Sequence, residues 1–159
     1  MIFVTVGTHE QSFERLVKKV DELKRDKIID EDVIIQKGYT DYEPQYCESY
    51  KLIGYNDMQR YLDDARIIIT HGGPASFIAP LIIGKIPIVV PRQKKFNEHV
   101  NNHQKDFVEQ VVARDSTIIP CYDIDDLEGL IKEYDSIVEN MKENYKSNNK
   151  LFCEKLDEE

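Results

Sequence analysis

Residues 70–91, with the sequence THGGPASFIAPLIIGKIPIVVP, contain the spacing in this chain that points most directly to chemistry. The apolar run Arg66–Ile69 that precedes them predicts a buried strand, which ends at His71-Gly72-Gly73. An apolar helix pattern then begins near Pro74 to Ser76. A strand, a glycine turn and a helix in this order direct backbone N–H groups and the positive end of a helix dipole toward an anion. The segment therefore predicts a phosphate-binding turn.

Each residue of this turn also has a purely structural interpretation. Gly72 and Gly73 permit close backbone approach and positive φ angles, which an ordinary turn needs as well. The Ser76 hydroxyl, in the first helical turn, is placed either to reach the same anion or to cap the helix. The pattern alone leaves both alternatives open.

All four histidines fall in or beside predicted loops: His9, His71, His99 and His103. The i, i+4 spacing of His99 and His103 is compatible with zinc, but no cysteine or carboxylate completes a ligand pattern. An imidazole that donates a hydrogen bond to a phosphate or a sugar hydroxyl is the favoured interpretation. We therefore predict a site without a metal or other cofactor.

A small basic island lies in an otherwise acidic chain: Lys85, Arg92, Lys94 and Lys95 stand against a net charge of −9. The island is suited to neutralising a diphosphate or to contacting anionic lipid headgroups, and its structural alternative is a solvated loop. The acidic net charge argues against non-specific nucleic-acid binding, which depends on neutralising phosphates. No nucleic-acid partner is predicted.

Length and composition indicate one globular domain. The chain has 159 residues, of which 41% are hydrophobic and 32% charged. Its three cysteines show no CxxC spacing, which is typical of reduced thiols in a cytosolic protein. The N-terminus does not resemble a signal peptide, and no apolar stretch approaches the ~20 residues of a membrane span. We therefore expect a cytoplasmic protein.

Strand patterns alternate with helix patterns along the chain. Strands are predicted at 2–6, 33–36, 50–55, 66–70, 86–91 and 117–119, and helices at about 13–23, 57–62, 74–83, 97–113 and 123–140. This alternation predicts an α/β fold, a Rossmann-like parallel sheet with helices on both faces. Ligands in such sheets bind beyond the carboxyl ends of the strands. The loops Gly7-Thr8-His9, His71-Gly72-Gly73 and 92–95 are all predicted at that edge.

Three motifs together resemble the donor-binding signature of nucleotide-sugar glycosyltransferases of the two-domain GT-B class. They are Thr70-His71-Gly72-Gly73-x-x-Ser76, Gly84-Lys85-x-Pro87-x-Val89-Val90-Pro91 and His103-Gln104. More narrowly, they resemble the C-terminal domain of glycosyltransferase family 28. The opening run VTVGTHEQ, from residue 4, is similar to split enzymes in which this half is a separate chain, especially bacterial capsule and exopolysaccharide subunits. The resemblance covers roughly residues 1–140.

The resemblance implies a single GT-B C-terminal-type domain that binds a UDP-sugar. His71, Gly72, Gly73 and Ser76 would then hold the diphosphate, and Gly7 and Thr8 would line the cleft floor. Arg92 in the basic loop would stabilise the UDP leaving group, and His103 and Gln104 would reach the sugar hydroxyls. Related families place a ribose-binding glutamate three residues after the serine, where this chain has Ala79. Enzymes of this class generally need no metal.

The resulting hypothesis is the donor-binding, catalytic subunit of a split glycosyltransferase. Residues 1–140 would bind the UDP-sugar, and residues 141–159 would form a charged helical tail that either docks on the partner or frays. A membrane-anchored partner would supply the site for a lipid-linked saccharide acceptor, and would hold this chain at the inner face of the cell membrane. Transfer of a hexose, with inversion, would use His9 as the general-base candidate within this chain.

Two rival functions follow from the same residues. A non-catalytic accessory subunit would stabilise or activate a membrane-associated catalytic partner without transferring sugar itself. A metal-dependent hydrolase would use the histidines as ligands. The sequence does not identify the sugar, the linkage or the oligomeric state.

Overall fold

The computed structural model describes residues 1–114 and 117–143, whose strands form one six-stranded sheet. The strands are β1 (Ile2–Thr5), β2 (Val33–Gln36), β3 (Glu48–Tyr50), β4 (Ile67–His71), β5 (Ile88–Val90) and β6 (Ile119–Pro120). Every neighbouring pair is parallel, and the order across the sheet is β3-β2-β1-β4-β5-β6. This is the strand order of a Rossmann fold, so the predicted fold class is confirmed.

Helices connect the strands, except between β2 and β3, and cover both faces of the sheet. They are α1 (Glu14–Arg25), α2 (Tyr55–Asp64), α3 (Pro74–Ile82), α4 (His103–Arg114) and α5 (Leu127–Lys132), and residues 134–143 are also helical. Successive strand residues point to opposite faces, so Ile2 and Val4 of β1 face one core and Phe3 faces another. The first core receives α1 and α5, whereas α2, α3 and α4 pack on the opposite face.

The connections from β1 and β4 leave the sheet in opposite directions. Strand β1 lies between β2 and β4, and Thr5 is in register with Thr70. The chain after β1 and the chain after β4 therefore diverge to opposite faces, and a crevice opens between the carboxyl ends of these strands, where the strand order reverses. Residues that follow β1 and β4 border this crevice.

The strand predicted at 50–55 is wrong in position. Strand β3 is Glu48–Tyr50, and α2 already begins at Tyr55. The side-chain amide oxygen of Gln36, the last residue of β2, accepts a hydrogen bond from Ile53 N at 2.8 Å. Ile53 is therefore bonded to a side chain and not to the backbone of a neighbouring strand. A side chain that replaces a strand partner leaves no signal in the apolar pattern of the segment itself.

The helix predicted at 97–113 begins only at His103. The Asn101 side chain accepts a hydrogen bond from His103 N at 3.0 Å, and that of Asn102 accepts one from Lys94 N at 2.9 Å. Asparagine side chains that bond nearby backbone groups compete with the helix and set its start. His99 therefore does not lie one helical turn before His103, as the zinc interpretation requires.

Other boundaries differ by smaller amounts. Strands β5 and β6 are shorter than predicted, and the closing helix is divided into α5 and the helical residues 134–143. Of the predicted tail, residues 141–143 continue that helical segment, and the remainder lies outside the described residues. Within the described ranges, no helix is both long enough and apolar enough to cross a bilayer.

Lys85, which was predicted to belong to a phosphate-neutralising island, lies elsewhere in the fold. Its ammonium donates to the carbonyls of Leu62, at 2.7 Å, and Ala65, at 2.8 Å, and also to that of Asp63. These carbonyls end α2, where a helix leaves acceptors unpaired and where its dipole favours a cation. Lys85 therefore caps a helix and is not available to an anion in the crevice.

We expect a Lys85→Met variant to lose about 1–3 kcal/mol of unfolding free energy, because three carbonyl groups lose a charged donor. Its affinity for UDP should be unchanged. Urea denaturation followed by circular dichroism measures the first quantity, and calorimetric titration measures the second. A Lys95→Met variant, which removes an exposed charge, is the matched control and should leave both unchanged.

Candidate functional site

A cleft of about 550 Å³ lies beyond the carboxyl ends of β1 and β4. Its polar part is lined by Thr5, Gly7, Thr8, His9, His71, Gly73, Ser76 and Gln104. Its apolar part is formed mainly by Ile53, Met58, Leu62 and Ala79. Seven residues of the predicted site thus meet in one place, although their segments are far apart in the sequence. The remaining predicted residues, Gly72, Arg92 and His103, do not line the cleft.

The imidazole of His71 is held between two glycines. A Cβ atom added to Gly7 would lie 2.3 Å from Nε2 of His71, and one added to Gly73 would lie 2.3 Å from Cε1. Gly7 also has a φ of +75°, which side-chain-bearing residues rarely adopt. The glycines that the sequence predicted to approach a ligand therefore make room first for a buried histidine.

Hydrogen bonds hold the His71 ring in one orientation. Its Nδ1 accepts a bond from Gly73 N at 3.2 Å and lies 3.3 Å from Nε2 of Gln104. Its Nε2 lies 2.9 Å from Oγ of Ser76. Burial, and then the positive charge of Arg92, lower the pKa of His71 to about 4. The ring is therefore neutral at physiological pH, and the turn does not present an imidazolium to a ligand.

Gln104 joins the start of α4 to the loops that follow β4 and β5. Its amide oxygen accepts hydrogen bonds from Gly72 N at 3.1 Å and from Arg92 N at 3.0 Å. Gln104 lines the cleft, but both polar atoms of its amide contact protein groups. The predicted contact between Gln104 and a sugar hydroxyl stays a prediction. His103 is exposed at the first position of α4 and does not line the cleft.

The unpaired amides of the cleft-lining residues are not those that the sequence indicated. Gly72 N–H and Gly73 N–H are bonded to side chains, whereas Thr8 N–H and Ala75 N–H have no hydrogen-bond partner within residues 1–114 and 117–143. Both Thr8 and Ala75 line the cleft. Pro74 occupies the first helical position and has no N–H, so Ala75 offers the first amide of α3. Ala75 was not among the predicted site residues. Pro74 at the start of the helix pattern was the feature of the sequence that indicated it.

His9 lines the cleft beside the loop that precedes α4. Its Nδ1 accepts a hydrogen bond from Gln11 N at 3.1 Å, so a neutral ring carries its proton on Nε2. The ring centroid lies 4.5 Å from that of His99. Burial and the charge of Arg92 lower the pKa of His9 below its ordinary value. This geometry favours His9 as a hydrogen-bond donor, and its role as a general base stays a prediction.

The structure does not bring Arg92 into the cleft. Its side chain is fully buried, with Nη1 donating to Gln11 O at 2.7 Å and Glu98 O at 3.1 Å, and Nη2 donating to Val6 O at 2.8 Å. A direct contact between this guanidinium and a bound anion is therefore not supported. Its charge lies behind His9 and His71 and acts on them electrostatically.

Among the residues that the structure describes, no three His, Cys, Asp or Glu side chains are placed to share a metal ion. The residues that line the cleft include no aspartate or glutamate. The polar groups that remain are amide, hydroxyl and imidazole donors, which suit an anion.

Solved structures of glycosyltransferases resemble this chain in fold. No relative was found among curated protein sequences. The fold is similar to that of the glycotransferase of kitacinnamycin, with a TM-score of 0.62 and 17% identity over 91% of this chain and 38% of that one. It is also similar to the glycosyltransferase SnogD from Streptomyces nogalater, with a TM-score of 0.51 and 18% identity over 76% of this chain and 30% of that one.

These two likenesses concern the fold, and this chain spans less than two fifths of either enzyme. The family comparison is more extensive, because the model of the glycosyltransferase family 28 C-terminal domain matches residues 1–158. A parallel sheet of Rossmann order, with its cleft at the reversal between β1 and β4, agrees with that match. The chain therefore belongs to the glycosyltransferase family 28 C-terminal domain family.

Proposed function

We propose that this chain is the donor-binding part of a glycosyltransferase and that its cleft binds the diphosphate of a UDP-sugar. The observation that carries the proposal is the set of unpaired donors at the reversal between β1 and β4. Thr8 and Ala75 line the cleft, as Ser76 does, and their N–H groups have no hydrogen-bond partner in the described part of the chain. Amides at a helix N-terminus are suited to phosphate oxygens.

The same donors suit the chemistry of sugar transfer. When the glycosidic bond to the donor sugar breaks, negative charge accumulates on the UDP leaving group. Fixed donors and the dipole of α3 stabilise that charge most when it is fully developed, which lowers the barrier. The buried charge of Arg92 adds a positive potential from behind His71. Metal-independent transfer is proposed on this basis.

The apolar part of the cleft is proposed to receive the nucleoside. Ile53, Met58 and Ala79 offer a surface to the face of a uracil ring. Ala79 provides no carboxylate for the ribose, but Gln59, on α2, also lines the cleft and carries an amide. Uridine is proposed from the family resemblance together with this apolar wall.

The acceptor half of the enzyme is proposed to lie in a partner. A GT-B enzyme closes two domains around its substrates, and the run VTVGTHEQ, from residue 4, resembles split enzymes in which the donor half is a separate chain. We propose a membrane-anchored partner subunit that holds a lipid-linked saccharide at the cytoplasmic face of a bacterial membrane. Transfer of a hexose with inversion, in capsule or exopolysaccharide synthesis, completes the proposal.

Calorimetric titration of UDP against the wild type and a Ser76→Ala variant tests the donor site. The variant removes one hydrogen bond to a charged oxygen, so we expect affinity to fall about 10- to 100-fold. Ser136→Ala, which changes an exposed serine in the helical residues 134–143, is the matched control and should match the wild type.

Absence of UDP binding to the wild type, or equal affinities for Ser76→Ala and Ser136→Ala, would contradict this site. Sugar transfer by the partner subunit alone would instead support the accessory function. Transfer assays with each subunit separately and with both together distinguish these cases.

A further inference from the structure

The amide of Gln104 has only one chemically consistent orientation. One of its two polar atoms lies 3.1 Å from Gly72 N and 3.0 Å from Arg92 N. Backbone N–H groups only donate, so the atom that faces both of them must be the amide oxygen. The amide nitrogen is then directed at Nδ1 of His71, 3.3 Å away. Gln104 is consequently a donor toward His71.

The direction of this bond determines the tautomer of His71. Nδ1 faces two donors, the Gln104 amide and Gly73 N–H, so it must carry the lone pair. A neutral imidazole has one N–H, which is therefore on Nε2. Arg92, His9 and His99 are the charged or titratable groups that act on this ring, and each of them opposes its protonation.

The hydrogen bond between His71 and Ser76 runs in the same donor-to-acceptor direction. Nε2–H of His71 donates to Oγ of Ser76 at 2.9 Å, which uses a lone pair of the hydroxyl and leaves its hydrogen free. Within the described ranges, the Ser76 hydroxyl has no other hydrogen-bond partner, and Ser76 lines the cleft. Its hydrogen is therefore available to an acceptor in the cleft.

We propose that Gln104 is a positioning residue, which orients a chain of donors from Gln104 through His71 to Ser76 so that the Ser76 hydroxyl donates to a phosphate oxygen. The choice of phosphate as the acceptor rests on the proposed function. Gln104 acts here through His71 and needs no contact of its own with the ligand. This role differs from the sugar contact that the sequence motif predicted for it.

A Gln104→Glu variant reverses the bond to Nδ1 of His71 with a charged acceptor, at the expense of the bond from Gly73 N–H to the same atom, and keeps the bonds from Gly72 N–H and Arg92 N–H. A carboxylate still accepts from Gly72 N–H and Arg92 N–H, but it offers His71 an acceptor where the amide offered a donor. The His71 proton should then move to Nδ1, and Nε2 should accept the Ser76 hydroxyl hydrogen. Gln110→Glu makes the same chemical change at an exposed position of α4 and is the matched control.

Two measurements test the proposal. Nitrogen-15 NMR of the imidazole groups is recorded without ligand at pH 8. It should show the Nε2–H tautomer of His71 in the wild type and in the control variant Gln110→Glu. Gln104→Glu itself should show a protonated Nδ1. In UDP titrations, Ser76→Ala should weaken binding about 10- to 100-fold in the wild type, but less than about threefold in the Gln104→Glu background.

An Nδ1–H tautomer in the wild type would overturn the proposal. This measurement needs no variant, so it tests the proposal even if Gln104→Glu does not fold. An unchanged tautomer in Gln104→Glu, or an equal cost of Ser76→Ala in both backgrounds, would also overturn it. If the wild type does not bind UDP, the proposed function fails. The tautomer measurements then still support or reject the donor chain, because they need no ligand.

Discussion

A Gly73→Ala variant is expected to lose at least about tenfold in UDP affinity, because the added methyl group occupies the place of the His71 ring. The new Cβ would lie 2.3 Å from Cε1 of His71. The φ of Gly73 is −70°, which alanine adopts without strain, so the effect is a steric one on the histidine. Gly7 also lies against the ring, and a displaced His71 would lose its bonds to Gln104 and Ser76.

Gly129→Ala is the matched control for this variant. Gly129 lies in α5, and a Cβ there would meet nothing within 4 Å. Alanine at a helical position should raise the unfolding free energy by about 0.5–1 kcal/mol and leave UDP affinity unchanged. Calorimetric titration and thermal denaturation of both variants provide the comparison. Equal UDP affinity of Gly73→Ala and the wild type would show that the position of His71 does not matter to binding.

A Glu98→Gln variant is expected to lose about 3–5 kcal/mol of unfolding free energy, because it leaves the Arg15 guanidinium without a compensating charge. Arg15 donates to both carboxylate oxygens of Glu98, at 2.9 and 3.0 Å, and only 11% and 3% of their side chains are exposed. Glu98 also accepts a bond from Gln93 N, so the pair holds the loop after β5 against α1.

The control for this loss is an exposed ion pair. Asp57 and Arg60 of α2 form one at 3.2 Å with about three fifths of each side chain exposed. Asp57→Asn should cost no more than about 0.5–1 kcal/mol. Urea denaturation gives both values, and similar losses in the two variants would mean that burial does not strengthen the Arg15–Glu98 pair. Replacing Arg15 by methionine in the Glu98→Gln background should recover part of the loss, because it removes one of the two guanidinium charges on which Glu98 acts and leaves only that of Arg92.

The fold was predicted from the sequence, and so was the placement of the loops after β1 and β4 at the same edge of the sheet. Both predictions depend on short-range patterns. Ile67–Ile69 predicts a buried strand without reference to the rest of the chain, and His71-Gly72-Gly73 follows it directly. Parallel strands place all such loops at one edge. The fold class and the edge of the sheet at which the cleft lies followed from these facts. Seven of the sixteen residues that line the cleft were among the predicted site residues.

The partners of the polar groups in these loops could not be predicted in the same way. Arg92 looks like a cation in an exposed loop, but the carbonyls that bury it belong to Val6, Gln11 and Glu98. Two of these are more than eighty positions away. Gly72 N–H is bonded by a glutamine 32 positions later. A sequence motif identifies which groups are able to donate, and tertiary contacts decide which of them remain free.

Arg92 has a mechanical consequence for the cleft. By bonding Val6 and Gln11 on one side and Glu98 on the other, it locks the loop after β1 to the loop after β5. Neither loop can swing without breaking buried, charge-assisted bonds. The wall that carries Thr8 and His9 is thus tied to the sheet, whereas the residues of α2 that line the opposite wall, Met58 and Gln59, form none of these bonds.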